Sequence, residues 1–175
     1  MSIILDPAPD FRAAAAIGPS PGEVREVALG DYAGRWLVLV FYPRDFTPVC
    51  PTELLELSRR ARELSELRAE VLAVSVDDVE THQRWMREVL GPIAFPLAAD
   101  PAGAMSRAYG AFLERAGVAA RATFLVDPEG IVQYAAFHNL EVGRSPSEIL
   151  RVLEALRTRE RVPAEWRRGE PTLGR

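Results

Sequence analysis

An α/β fold, with a central mixed sheet flanked by helices, is predicted from three features of this chain. Two runs, Trp36-Leu37-Val38-Leu39-Val40-Phe41 and Val71-Leu72-Ala73-Val74-Ser75-Val76, are almost continuously apolar. Such runs fit strands buried on both faces of a sheet. Each is followed by a segment whose apolar residues recur at helical spacing. Residues 123–137 form a strand–turn–strand pattern around Asp127-Pro128-Glu129-Gly130. Alternating strands and helices of this kind build a sheet sandwiched between helices.

In chain order, residues 6–22 are rich in Pro, Gly and Ala and read as an extended entry segment. Glu23-Val24-Arg25-Glu26-Val27 alternates and predicts a short strand. The first buried strand covers 36–41. A helix is expected from Thr52 to Arg68, where Leu54, Leu57, Ala61 and Leu64 share a face, with Pro51 suited to its first turn. The second buried strand ends at Asp77-Asp78, which with Thr81 can start a helix over 79–90. Gly91-Pro92 stops it. Phe95-Pro96-Leu97 reads as a short strand, Asp100-Pro101 as a turn, and 103–109 as a short helix. After the strand pair, a helix runs from Ser147 to about Arg157 with Ile149, Leu150, Leu153 and Leu156 on one side. The whole chain, 1–175, is expected to form one domain, with a charged C-terminal tail over 159–175.

A chain of 175 residues is long enough for a real core. Its net charge of −4 argues against nucleic acid as the main partner. All basic residues other than the two histidines are arginine. No segment approaches the roughly 20 apolar residues of a membrane span. The start, Met1-Ser2-Ile3-Ile4-Leu5-Asp6, lacks the basic and apolar regions of a signal peptide. A single cysteine rules out an intrachain disulfide framework. These features set the cytoplasm as the expected location.

That cysteine, Cys50, carries the functional case. It lies where the first buried strand gives way to a helix, in Phe41-Tyr42-Pro43-Arg44-Asp45-Phe46-Thr47-Pro48-Val49-Cys50-Pro51-Thr52-Glu53. Helix N-termini favour anions, and the thiolate is the reactive form of cysteine. A lone cysteine is otherwise a small buried hydrophobe, and Thr47 alone would read as a loop residue. Together, Pro43, Thr47 and Cys50 make a P-x-x-x-T-x-x-C pattern. A hydroxyl three residues before the sulfur can bond the thiolate or an incoming oxygen, and Pro43 can form a rigid collar. In open α/β sheets such chemistry gathers beyond the carboxyl ends of strands. Two scattered histidines and one cysteine have no metal-ligand spacing, so neither a metal nor a cofactor is expected. His82, on a helix, is read as solvated or packed; His138, after a strand, as near a subunit contact.

The segment 42–53 closely resembles the peroxidatic signature of the peroxiredoxin family. Shorter stretches resemble the same family in order: Ala8-Pro9-Asp10-Phe11, Ser75-Val76-Asp77, Asp100-Pro101, Ala108-Tyr109-Gly110, the strand from Arg121 to Gly130, Gly143-Arg144-Ser145, and the tail Val162-Pro163-Ala164-Glu165-Trp166. The resemblance, to the typical two-cysteine branch, implies a thioredoxin-like fold and reduction of hydrogen peroxide or organic hydroperoxides. It implies that Cys50 is the nucleophile, Thr47 bonds the peroxide, Pro43 shields the site and Arg121 holds the thiolate and transition state. Glu53, Arg144 and Tyr42 form the supporting network. It also implies homodimers or larger homo-oligomers, paired through sheet edges.

Physical chemistry explains these residue types. An ordinary thiol, near pKa 8.5, is only a few per cent thiolate at pH 7. Bringing a thiol to about 6 takes about 3 kcal/mol of differential stabilisation. A helix N-terminus supplies about 0.3–1 kcal/mol when exposed and about 2 when partly buried. A permanent cation such as arginine can supply the remainder.

The chain departs from the branch it resembles. Val162 stands where that branch has its resolving cysteine, so a sulfenic acid on Cys50 requires an external thiol, either small or from a thioredoxin- or glutaredoxin-like protein, unless two Cys50 residues meet across subunits. Glu88-Val89-Leu90-Gly91-Pro92 replaces the Gly-Gly-Leu-Gly element of overoxidation-sensitive members, and the tail has no Tyr-Phe pair. A redox sensor or oxidation-dependent holdase is the alternative reading of the same fold. A dithiol oxidoreductase is disfavoured because Glu53 stands where the second cysteine of Cys-x-x-Cys would be.

Overall fold

The computed structural model describes residues 2–175. The chain divides into two compact units after Arg144. The first holds nine strands: β1 Arg12–Ala16, β2 Val24–Ala28, β3 Trp36–Phe41, β4 Ala69–Ser75, β5 Leu97–Ala99, β6 Phe112–Leu113, β7 Val118–Ala119, β8 Arg121–Val126 and β9 Val132–His138. Its helices are α1 Cys50–Arg59, α2 Ala61–Glu66, α3 Val79–Trp85 and α4 Ala104–Ala108. Seven strands form one sheet in the order β2-β1-β5-β4-β3-β8-β9, and β6 pairs with β7 separately. β3, β4 and β5 run parallel; β8 is antiparallel to β3 and β9 to β8.

Every residue of β3 and β8 is buried, as expected for neighbouring central strands. On one face of the sheet, Leu37, Leu39, Phe41, Leu72, Val74, Ala122 and Phe124 pack with Tyr32, Met105 and Tyr109. Strand alternation sends Val38, Val40 and Thr123 to the other face. Phe41, Tyr109 and Phe124 form an aromatic cluster with centroids 5.1–5.9 Å apart, Phe124 meeting the other two rings edge-on.

Several elements differ from expectation for identifiable reasons. The entry segment contains β1, whose run of alanines carries no period-two signal; its pairing with β2 and β5 makes it a strand. The helix after Cys50 breaks at Arg60, where φ −93° and ψ 8° leave the helical region. α3 ends at Trp85 and widens into a π-turn over Met86–Leu90. Gly91, at φ 67°, closes it by donating its N–H to the Met86 carbonyl. β5 begins at Leu97, two residues after the expected start, and β6 and β7 are too short for periodicity to register.

The second unit consists of α5, Pro146–Thr158, and the following tail. Ser145 caps α5 by accepting the Glu148 N–H. Within this unit Trp166 is buried and donates its indole N–H to the Glu170 carbonyl. Val162 is half-buried in the tail. Among the described residues no helix is long and apolar enough to cross a membrane.

Candidate active site

The register of the sheet assembles the site. Phe41, at the end of β3, pairs with Ala122 near the start of β8. Antiparallel pairing therefore sets Arg121 beside the carboxyl end of β3, where the chain turns into α1. Cys50 is the first residue of α1, with Pro51 in the first turn, and its side chain is completely buried. Arg121 Nη1 donates to Cys50 Sγ at 3.2 Å. The same nitrogen donates to Glu53 Oε2 at 2.6 Å, and Arg121 Nε donates to the Leu140 carbonyl at 2.7 Å. Glu53 lies three residues after Cys50, almost one turn on, so both side chains leave the same side of α1.

Arg144 completes the network. Its backbone N–H and Nε both donate to Glu53 Oε1, at 2.8 and 3.0 Å. Its other nitrogens donate to the Ala122 and Phe41 carbonyls and to Thr123 Oγ1. Arg121, Arg144 and Glu53 are all buried. Burial pulls the Arg144 guanidinium below its ordinary value, and the Glu53 carboxylate opposes this. A guanidinium stays charged in proteins. Two guanidiniums and one carboxylate leave one uncompensated positive charge beside the sulfur. Buried charge is costly unless matched, so the site is built for one more anion.

The loop from Pro43 to Val49 lies between β3 and α1. Pro43 is buried at its start and Thr47 is half-buried. Thr47 Oγ1 donates to the Arg44 carbonyl at 2.9 Å. A hydroxyl has one proton and two lone pairs, so toward a ligand Thr47 is an acceptor. Phe46, between Asp45 and Thr47, has φ 55°. A non-glycine residue in that region costs about 1–2 kcal/mol. Tyr42 is the sequence candidate whose hydroxyl turns from the arginine network. It donates to Asp45 Oδ1 at 2.8 Å, and burial followed by the charge of Asp45 pushes the phenol well above its usual range.

Tyr42 leads to residues that the sequence reading did not assign. His82 is completely buried. Its Nδ1 lies 2.7 Å from Asp45 Oδ2, and its Nε2 lies 3.2 Å from the Ala98 carbonyl. Asp45 also donates its backbone N–H to Asp77 Oδ2 at 2.8 Å. Burial pushes the Asp45 carboxyl up, and the bond and charge of His82 oppose that. The spacing His82, Trp85, Met86 was the available signal: i, i+3, i+4 puts the histidine on the buried stripe of α3.

Known proteins resemble this chain over most of its length. The model of the AhpC/TSA family matches residues 4–135. A peroxiredoxin from the rubredoxin operon of Clostridium pasteurianum is 46% identical over 172 residues, spanning 95% of this chain and 96% of its own. The mitochondrial thioredoxin-dependent peroxide reductase of Mus musculus is 40% identical over 175 residues, 95% of this chain and 67% of its own. The reduced 2-Cys peroxiredoxin of Plasmodium vivax superposes with a TM-score of 0.94 at 33% identity, covering 98% of this chain and 93% of that one. With a family model over most of its length and relatives over nearly all of it, this chain belongs to the AhpC/TSA family of peroxiredoxins, and it is a thiol-dependent peroxidase.

Proposed function

We propose that Cys50 is the peroxidatic nucleophile of this enzyme and that an external thiol regenerates it. The observation that carries the reading is the 3.2 Å bond from Arg121 to the Cys50 sulfur, within a buried set that bears one spare positive charge. A thiolate brings that set to neutrality. It attacks one peroxide oxygen; an S–O bond forms and the O–O bond breaks. Sulfur loses two electrons, and the departing oxygen leaves as hydroxide or alkoxide and takes a proton from water. Cys50 is left as a sulfenic acid. Arg121 is aimed where negative charge moves from sulfur to the departing oxygen, the arrangement that stabilises a transition state. Thr47, its proton held by Arg44, accepts a hydrogen bond from the peroxide O–H. Pro43 keeps the loop rigid, and Glu53 and Arg144 hold Arg121 in place.

One thiol then condenses with the sulfenic acid, releasing water and forming a mixed disulfide; a second thiol frees Cys50. No second cysteine exists in the chain. The relative in mouse mitochondria is named for thioredoxin dependence, and a thioredoxin-like protein or small thiol is the proposed donor here. A free catalytic thiol suits a reducing compartment, so the proposed location is the cytoplasm. Self-association is part of the proposal: β9 is an edge strand carrying the exposed Phe137, and such edges pair readily.

Quantifying peroxide after mixing with reduced enzyme tests the reading. One equivalent per chain should disappear without a reductant, none with Cys50→Ser, and many when thioredoxin or a small thiol is supplied. Consumption by Cys50→Ser at the wild-type rate contradicts it.

A further inference from the structure

Arg121 holds the sulfur and Glu53 and Arg144 hold Arg121, but the loop that carries Thr47 must itself be held. Its central residue, Phe46, sits in the left-handed region, so the loop does not keep its shape by local preference. The residue before it, Asp45, is fixed from three elements at once. Tyr42, just after β3, donates to one carboxylate oxygen. His82, on α3, faces the other. Asp77, just after β4, accepts the Asp45 N–H and also a hydrogen bond from Ser75 Oγ. Behind the histidine, the Ala98 carbonyl of β5 faces Nε2. Trp85 stacks on Tyr42 with centroids 5.9 Å apart and lies 6.3 Å from the Phe46 ring.

From this we propose that the buried Asp45–His82 pair is a positioning latch for the catalytic loop, holding Thr47 over Cys50. The proposal rests on the peroxidase reading. Neither residue touches the sulfur, so both act through the loop. The groups facing the pair are Tyr42, Asp77, Ser75 and the Ala98 carbonyl. The 2.7 Å bond between Asp45 and His82 needs one proton, and a bond from Nε2 to the Ala98 carbonyl needs a second. The pair is neutral overall whichever atom holds the shared proton, which is how it stays buried.

That proton count gives a test that a merely structural role would not meet. Asparagine at 45 accepts from Tyr42 and donates to a neutral His82, so the hydrogen bonds survive. Protonating His82 in that variant would set two donors against each other. Wild type has no such conflict, because its aspartate accepts.

The experiment is stopped-flow oxidation of the full-length enzyme by hydrogen peroxide, followed by tryptophan fluorescence, for wild type, Asp45→Asn, Asp45→Ala and His82→Phe. Asp45→Ala and His82→Phe should slow Cys50 oxidation roughly 100-fold, the scale of a misplacement of about 1 Å. Their thiolate ultraviolet absorbance should titrate as in wild type. Asp45→Asn should react within about fivefold of wild type at pH 8, then lose rate on acidification as the two donors come into conflict. Wild type should lack that extra loss. Alanine and phenylalanine variants reacting within threefold of wild type would overturn the latch. If those two variants fail to fold, Asp45→Asn decides alone: the added acid limb supports the latch, and a profile parallel to wild type overturns it. Loss of reaction in Cys50→Ser, read alongside, checks the peroxidase reading separately.

Discussion

A sulfur with a guanidinium 3.2 Å away and no solvent exposure is the residue-scale fact on which the chemistry turns. Its immediate partners were legible because each is tied to sequence position. Glu53, Arg121 and Arg144 all follow from motifs that resemble those of the family. The Asp45–His82 pair was not legible: helical spacing puts His82 on the buried stripe of α3, but no local pattern names the carboxylate it meets there. Glu53 bridges both arginines, so Glu53→Gln leaves two buried guanidiniums with only the Cys50 thiolate to balance them. Breaking a buried pair costs about 3–5 kcal/mol, and denaturant unfolding of this variant should show a loss on that scale. A change below about 1 kcal/mol would mean that water or backbone carbonyls already neutralise the cluster. The half-reaction with peroxide should slow as well, since Arg121 loses the anchor that aims it.

At the scale of elements, continuous apolar runs made the central strands readable and helical periodicity made α5 readable, while pairing register joined the strands into a sheet. Short or alanine-rich pieces escaped: β1 is a strand because β2 and β5 flank it, a fact of tertiary pairing that no local pattern carries. The turn that follows β1 is equally tertiary. A side chain at Gly18 would meet the Phe95 and Ile93 carbonyl oxygens at 2.2 and 2.4 Å. Gly18→Ala should therefore cost about 1–3 kcal/mol, the range for overpacking, seen as a lower thermal midpoint. The cap of α3 supplies a pH test. Asp78 accepts hydrogen bonds from Thr81, first through the side chain and then the backbone, and these hold its carboxyl below the usual value. A depressed carboxyl stabilises the fold above its unfolded value, near 3.9, and loses that contribution as pH falls through the folded value. Asp78→Asn keeps the cap and should flatten this part of the acid limb in unfolding midpoints measured against pH; an unchanged limb would place the acid sensitivity elsewhere.

For the whole molecule, the mixed sheet was readable from alternating strand and helix patterns, but the division after Arg144 was not. The sequence marks a tail only where charge and proline accumulate, after residue 159, whereas α5 groups with that tail by its contacts. The presence of one cysteine shapes the redox cycle more than the fold does. With Val162 in place of a resolving thiol, an oxidised chain can leave the sulfenic state only through another molecule or further oxidation. Intact mass after one equivalent of peroxide should show the gain of one oxygen atom, with no disulfide closed within a chain. Adding a thiol should convert that species to a mixed disulfide at Cys50 and then to the reduced enzyme.

The pairing of Arg121 with the Cys50 sulfur is measured most directly by the second-order rate of peroxide with reduced wild type, Arg121→Met and free cysteine thiolate. Wild type should exceed the free thiolate by several orders of magnitude, and Arg121→Met should lose at least about 100-fold, the scale of removing one aligned donor, while remaining folded. A wild-type rate matching free thiolate, or an Arg121→Met enzyme as fast as wild type, would contradict the account.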